Sequence, residues 1–474
     1  MKPFIVSFSL SCMFMLALAS CTNFSIEERK ANLEKESLQS LLLEKGTTPI
    51  TANEAINVAL LYNIQNKIET KGELEKNVSD VYTVYREEGE PSMYAVNYQN
   101  NKGFIVVSAS RKYYPILAMV EKGHFDDSFI YCPLGGWIDE QNEQIAMAER
   151  DEVEEEIANS IRMMWSAYEK KGVAKWIETK SEAEAFALRQ SCVAAWEQQG
   201  YTCYALMDQP STMPSSVYTS WCQLAQGLAN PDYNYMLFSV ILEKYVESTS
   251  TIGPLIGSTW ARENGYNVSY TDGNGNLRPW CSRTVAVGQI MRYHQRPYYP
   301  NGLNWNNMPL TSPTTTTSDF LYWLTGEFGP TYQASGWDPT DAVAEYTLHN
   351  NLGYSTLMSV YSRNSVISDI SSNMPVYLSG NRTVNGVPVD MAWVCEGYKR
   401  VIGHYEYELK VLSMDEPLTY ENGGTYVGST YSDTNYLYHN LGLGGNLNGW
   451  YISDTFAAGS NTMAASNMIY CISH

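Results

Sequence analysis

The pattern of apolar and polar positions changes character several times along this chain, and each stretch predicts different elements. Residues Phe4 to Ala19 form a mostly apolar run behind Lys2, the layout of a secretory signal and too short for a comfortable membrane span. From about residue 25 to 75, apolar positions recur at helical spacing among Glu, Lys, Leu and Asn. Thr51 and Glu54 have capping-box spacing, so a helix should start there. Strand-like runs follow over Val81 to Arg86, Ser92 to Tyr98, Phe104 to Ser108 and Pro115 to Val120, with Gln99 to Gly103 as a hairpin turn. A helix followed by an antiparallel sheet predicts a small α+β module.

From about 136 to 250 the pattern is least regular. Ile145, Ile157, Ile161, Met164 and Trp165 stand at roughly helical spacing around the acidic run Glu149 to Glu156, which predicts one amphipathic connecting helix across Gln141 to Lys171. Asp208 to Ser216 is a loop by composition. The chain is therefore divided into a signal peptide (1–20), an α+β module (21–135), a helical connector (136–250) and a C-terminal domain (251–474). No later segment holds about 18 consecutive apolar residues, so none is expected to cross a bilayer.

Composition narrows the functional classes. The 474 residues are 44% hydrophobic and 13% aromatic, an ordinary globular make-up with material for a large core. The formal net charge of −20 repels phosphate backbones and anionic membranes, which excludes nucleic acid as an expected partner; the acidity reads as keeping an exported protein soluble. Leu18-Ala19-Ser20-Cys21 resembles a bacterial lipobox, which implies lipid attachment at Cys21 and a lipoprotein on the periplasmic or surface-exposed face of an outer membrane, with the lipid as the sole membrane contact. Of nine cysteines, seven remain once Cys12 and Cys21 are set aside: Cys132, Cys192, Cys203, Cys222, Cys281, Cys395 and Cys471. Such a scattered, odd set argues against a disulfide framework, although Cys192 and Cys203 could form a local bridge. No close Cys/His cluster supports a metal site, and no cofactor is expected.

Two stretches carry the chemistry: Trp280 to Met291, reading WCSRTVAVGQIM, and Asp390 to Tyr398, reading DMAWVCEGY. They resemble the nucleophile helix and histidine strand of the streptopain family of papain-like cysteine peptidases. Further segments resemble the family in the same order: Gly253 to Ile256 with Trp260 and Gly265 to Asn267; Gln289 to His294 with Pro297 and Asn304 to Pro309; Leu352 to Ser355; Met374 to Gly380; and Asn440 to Gly445 with Asn448 to Tyr451. Tyr94 to Tyr98 and Gly103 to Ala109 are similar to the family's inhibitory propeptide. The resemblance implies an α+β chain: a papain-like cysteine peptidase fold preceded by a small α+β propeptide-like domain.

The chemistry of such a site requires a thiolate at a helix N-terminus beside an imidazole, and donors for the oxyanion. Losing one such donor costs about 3 to 4 kcal/mol. Alignment on Gln289-Ile290-Met291 puts Ser282 at the nucleophile position, Met391 at the general-base position, Arg262 at the oxyanion position and Asn440 at the orienting position. Leu441 and Leu443 stand where the family has two tryptophans. Cys281 is an alternative nucleophile, turned by about 100° on a helix from Ser282, and His439 an alternative base; His404 lies in a neighbouring run. A serine without a base stays protonated at neutral pH, and Met391 fills the space of an imidazole. Removing members of a catalytic unit costs on the order of 10⁶ in turnover. The leading expectation is a pseudopeptidase that binds protein or peptide. The alternatives are an active peptidase with a Cys281–His439 dyad, and an inhibitor whose N-terminal module occupies a related active protease.

Overall fold

A computed structural model describes residues 41, 43, 49–67, 77–86, 89–128, 132, 134–169, 183–228, 237–297, 304–335, 338–384, 387–413, 420–453 and 467–473. The signal run and Cys21 lie outside them. The first helix, α1 (Ala52–Lys67), begins where the capping box predicts: Thr51 N donates to Glu54 Oε2 at 2.7 Å and Glu54 N donates to Thr51 Oγ1 at 3.2 Å. Strands β1 (Val78–Tyr85), β2 (Pro91–Tyr98), β3 (Phe104–Ser108) and β4 (Ile116–Val120) form an antiparallel meander. Every residue of β3 and β4 is buried, which explains why these two strands read as continuous apolar runs. Gly103 closes the β2–β3 turn at φ +82°, and an added Cβ there would lie 1.8 Å from Val120 O, so only glycine fits.

The connector departs from expectation in two ways. The single helix across Gln141 to Lys171 is two, α2 (Leu134–Glu149) and α3 (Glu155–Ser166); between them the chain turns at Asp151, whose φ is +57°. The acidic run thus ends one helix and opens the next, where carboxylates face the helix N-terminus favourably. After α4 (Ala183–Gln198), β5 (Thr202–Ala205) and α5 (Ser215–Leu228), the stretch is not helical: β6 (Leu237–Ile252) is a 16-residue strand that crosses the boundary drawn at residue 250. Val240, Ile241 and Leu242 are all buried, so this strand lacks the period-2 signature that would have revealed it.

The C-terminal part supplies α6 (Ser282–His294), α7 (Thr315–Phe328), α8 (Pro330–Ser335), α9 (Asp341–Tyr346), β7 (Ser355–Val360), α10 (Arg363–Ser371), β8 (Val376–Val384), β9 (Val387–Ser413), β10 (Tyr420–Asn440), β11 (Gly449–Ile452) and β12 (Asn467–Ser473). Among the described residues, all twelve strands join one sheet, ordered β1-β2-β3-β4-β11-β10-β9-β8-β12-β7, with β6 paired along β9 and β5 on β6. The chain is α+β, as its pattern predicts. The seam between the first module and the rest is a strand pair: Ala118, Met119 and Val120 of β4 lie opposite Tyr451, Trp450 and Gly449 of β11. One large apolar cluster spans this seam, from Val58 and Ile105 to Trp450 and Leu437, while a second beneath α6 and α7 includes Val287, Ile290, Phe320 and Leu324. Among the described residues no helix is long and apolar enough to cross a membrane.

Candidate functional site

Helix α6 is the axis of the site. Ser282 to Met291 are all buried, so the helix is covered on every side rather than along one stripe. Gly288 allows α7 close approach, since a Cβ there would come within 2.8 Å of Leu321 Cδ2. Cys281 is the N-cap: its sulfur accepts from Thr284 N at 3.3 Å and contacts Thr284 Oγ1 at 2.8 Å. Ser282 is therefore the first helical residue, the place a helix-activated nucleophile would take. Its hydroxyl oxygen, however, accepts a hydrogen bond from Ala392 N of β9 at 2.9 Å, and the residue is 3% exposed. Met391, the preceding residue of β9, is buried as well. The helix and strand positions singled out from sequence do meet, through a hydrogen bond from the backbone amide of Ala392 to the Ser282 hydroxyl.

Around this junction lies an ionic cluster that sequence reasoning missed. Arg283, 4% exposed, donates to Asp341 Oδ1 at 3.0 Å and to Asp390 Oδ1 at 2.8 Å, and pairs with Asp338 at 3.5 Å. Asp341 also accepts from Tyr377 (2.6 Å), Ser379 (2.6 Å) and Asn467 (3.0 Å), tying α9 to β8 and β12. Burial works against the charge of Asp341, yet the bonds from Ser379 and Tyr377 and the Arg283 charge hold its carboxyl below the ordinary range. Asp338 goes the other way, raised by burial despite Arg262 and Arg283 nearby. Two signals for the cluster were in the sequence: Arg283 is a charge beside the nucleophile position, and Asp390 directly precedes Met391.

The remaining sequence candidates fall into separate environments. Arg262 donates through Nε to Trp280 O at 2.6 Å and accepts from Trp280 N, clamping the backbone just ahead of the helix. Cys281 is buried, and burial, aided by the charge of Asp338, pushes its thiol up to about 12, so it holds no thiolate at neutral pH. Asn440 is committed elsewhere than an orienting role at Met391: it donates to Ser258 O (2.6 Å) and Glu396 Oε1 (2.9 Å) and exchanges contacts with Gln289 of α6. Glu396, raised by burial, also accepts from Ile256 N at 2.6 Å.

His439 precedes Asn440 on β10 and so points to the opposite face of the sheet, away from α6. There its Nδ1 accepts from Trp393 Nε1 at 3.1 Å and its ring lies 5.9 Å from that of Tyr451. Burial lowers its pKa to about 3. The structure does not bring Cys281 and His439 together, because the sheet lies between them. His404 sits on the long β9 arm beside Glu406. Cys192 and Cys203 form no disulfide with each other and lie buried in one apolar cluster. Among the described residues no group of three or more His, Cys, Asp or Glu side chains is placed to hold a metal ion.

A glycine-rich loop borders the site. Gly442 adopts φ +68° where a Cβ would approach Val285 of α6 to 3.1 Å, and Leu443 bridges Ala261 next to Arg262. The first module docks on this loop: Lys122 Nζ donates to Gly444 O at 2.9 Å, and Leu447 N donates to Lys122 O at 2.9 Å.

Residues 47–145 match the family model of the Spi protease inhibitor, which accounts for the first module and part of α2 but less than half of the chain. Among solved structures, the chain is similar to a prointerpain A fragment from Prevotella intermedia, with TM-score 0.42 and 12% identity over 82% of this chain and 97% of that one. It is also similar to active interpain A, a cysteine protease of the same organism, with TM-score 0.30 and 14% identity over 46% of this chain and 94% of that one. Both likenesses are too distant to carry chemistry from one chain to the other. No curated protein matches the chain in sequence.

Proposed function

We propose that this protein is an exported, lipid-anchored pseudopeptidase of the streptopain type, which keeps a peptidase-like cleft to bind protein or peptide and does not turn it over. The observation that carries the reading is the bond from Ala392 N to Ser282 Oγ with Met391 beside it: the hydroxyl is buried, and among the described residues no histidine is hydrogen-bonded to it. Without a base, a serine hydroxyl stays protonated and is a weak nucleophile. Incubating the mature protein with casein and a peptide library is expected to give no hydrolysis above background. Hydrolysis abolished by Ser282→Ala or Cys281→Ala would overturn the proposal. Lipid attachment is tested separately by metabolic labelling with palmitate, which Cys21→Ala should abolish.

A second reading draws on the match of residues 47–145 to the Spi protease inhibitor model: the first module inhibits a separate, active protease. Pairing of β4 with β11 weighs against it, because the module's edge strand is already occupied within the same chain.

A further inference from the structure

The sheet ends on β1 at one side and on β7 at the other, and the two outer strands are built differently. β1 carries Asp80 and two register shifts along its pairing with β2. A charge and an irregular register both keep an edge from serving as a template for further strands. β7 has neither protection. It reads Ser-Thr-Leu-Met-Ser-Val without charge or proline, pairs with β12 alone, and keeps an unbroken register from Leu357 to Val360. Leu357, Met358 and Val360 are 53%, 46% and 72% exposed, whereas Thr356 is buried and donates to Glu345 of α9 at 2.8 Å. Among the described residues no strand lies against the outer side of β7. Its outward backbone groups and three apolar side chains are what an added strand would cover.

Charge and register point to the same occupant. β7 holds no charge by which to select a foreign strand, and each copy of the chain carries a formal charge of −20; pairing β7 with itself sets no carboxylate of either strand opposite another. A two-fold axis perpendicular to the sheet keeps every side chain on its own face, so only residues of one face can stand opposite each other. With Met358 opposite Met358 of a second copy, Leu357 lies opposite Ser359 and Thr356 opposite Val360. All three exposed apolar residues then enter the pairing. The register centred on Leu357 would leave Val360, the most exposed of them, outside it.

We propose that β7 is a self-association edge, through which two copies of this chain pair antiparallel about Met358 and continue the sheet from one molecule into the other. β8 and β12 stand between β7 and β9 in the sheet, so dimerisation and the absence of peptide hydrolysis are tested separately. A six-residue strand pair is small beside standard interfaces of ~1,200–2,000 Å², which places the expected dissociation constant at roughly 10–100 μM. Sedimentation velocity on the whole mature protein carrying Cys21→Ala, so that no lipid drives association, should show a shift from monomer to dimer across that range. Met358→Lys sets two ammonium groups face to face at the axis and should weaken the dimer about tenfold or more, with an unchanged thermal midpoint because the site is exposed. The register has its own readout. Directly opposed residues lie about 4.5–5.5 Å apart between Cα atoms, within disulfide reach, and diagonal ones about 7–8 Å apart, beyond it. Under diamide, Met358→Cys should therefore cross-link into a covalent dimer, while Leu357→Cys and the parent chain should not. A monomer at every concentration would overturn the proposal and leave the edge to a foreign strand. A dimer indifferent to Met358→Lys, or one that Leu357→Cys cross-links as readily as Met358→Cys, would overturn it as well.

Discussion

In the pseudopeptidase proposed above, Ser282, Met391 and Arg262 stand at the nucleophile, base and oxyanion positions, and in the structure each is engaged in other contacts. Ser282 Oγ accepts from the β9 amide of Ala392, Met391 is buried beside it, and Arg262 clamps Trp280. Restoring two of the three should therefore not suffice. With a peptide substrate, Ser282→Cys combined with Met391→His is expected to stay about 10² to 10³ below the triple variant that also carries Arg262→Gln, the cost typical of one missing oxyanion donor. Equal rates for double and triple variants would show that Arg262 is not the obstacle. His439 makes a separate residue-scale prediction. Burial lowers its folded-state pKa to about 3 from 6.5. Above pH 6.5 it is neutral in both states and its contribution is fully present; as pH falls from 6.5 toward 3, the unfolded chain binds a proton that the folded one refuses, and stability is lost. His439→Gln keeps an acceptor for Trp393 and should flatten that decline by up to about 1.4 kcal/mol per pH unit, measured by denaturant titration across the window. An unchanged slope would mean that the carboxylates alone set acid stability.

Elements were legible in proportion to how local their causes are. Thr51 and Glu54 announce the start of α1 because both ends of the capping box lie within one turn. Thr51→Ala should cost about 1 kcal/mol, seen as a lower denaturation midpoint, whereas Thr51→Ser should cost little. The meander β1 to β4 could be drawn from its apolar runs and the Gln99–Gly103 turn, and the approach of helix α6 to strand β9 followed from matching two motifs. β6 could not be read, because both its faces are covered over Val240 to Leu242 and its partner, β9, begins some 150 residues later in the chain. The acidic run was read as one solvated face because charge density alone does not reveal the turn at Asp151. At the site, the missed residues are those whose role depends on three distant segments converging. Arg283 gains its meaning only from Asp338, Asp341 and Asp390, and the commitment of Asn440 to Glu396 and Ser258 is equally invisible along one segment.

At the scale of the whole molecule, the first module is built into the architecture rather than appended to it. β4 shares its edge with β11, Tyr436 donates to Ile116 O at 3.0 Å, Trp137 Nε1 approaches Ile452 O at 3.4 Å, and Lys122 holds the glycine-rich loop. An edge strand released from such pairing exposes unpaired backbone groups and the apolar residues beneath them. Dissociation would also divide the cluster that contains both Ile105 and Leu437. These contacts predict that severing the chain does not free the module. A protein carrying a specific cleavage sequence between residues 170 and 182, once cut, should elute as one species on size exclusion, unfold in one thermal transition and separate only in denaturant. Two fragments that part in buffer, with the N-terminal one slowing a related protease at stoichiometric concentration, would instead make the module a releasable inhibitor. The difference lies in the β4–β11 seam: an inhibitor acting in trans must present that edge to another molecule, and here its own chain already fills it.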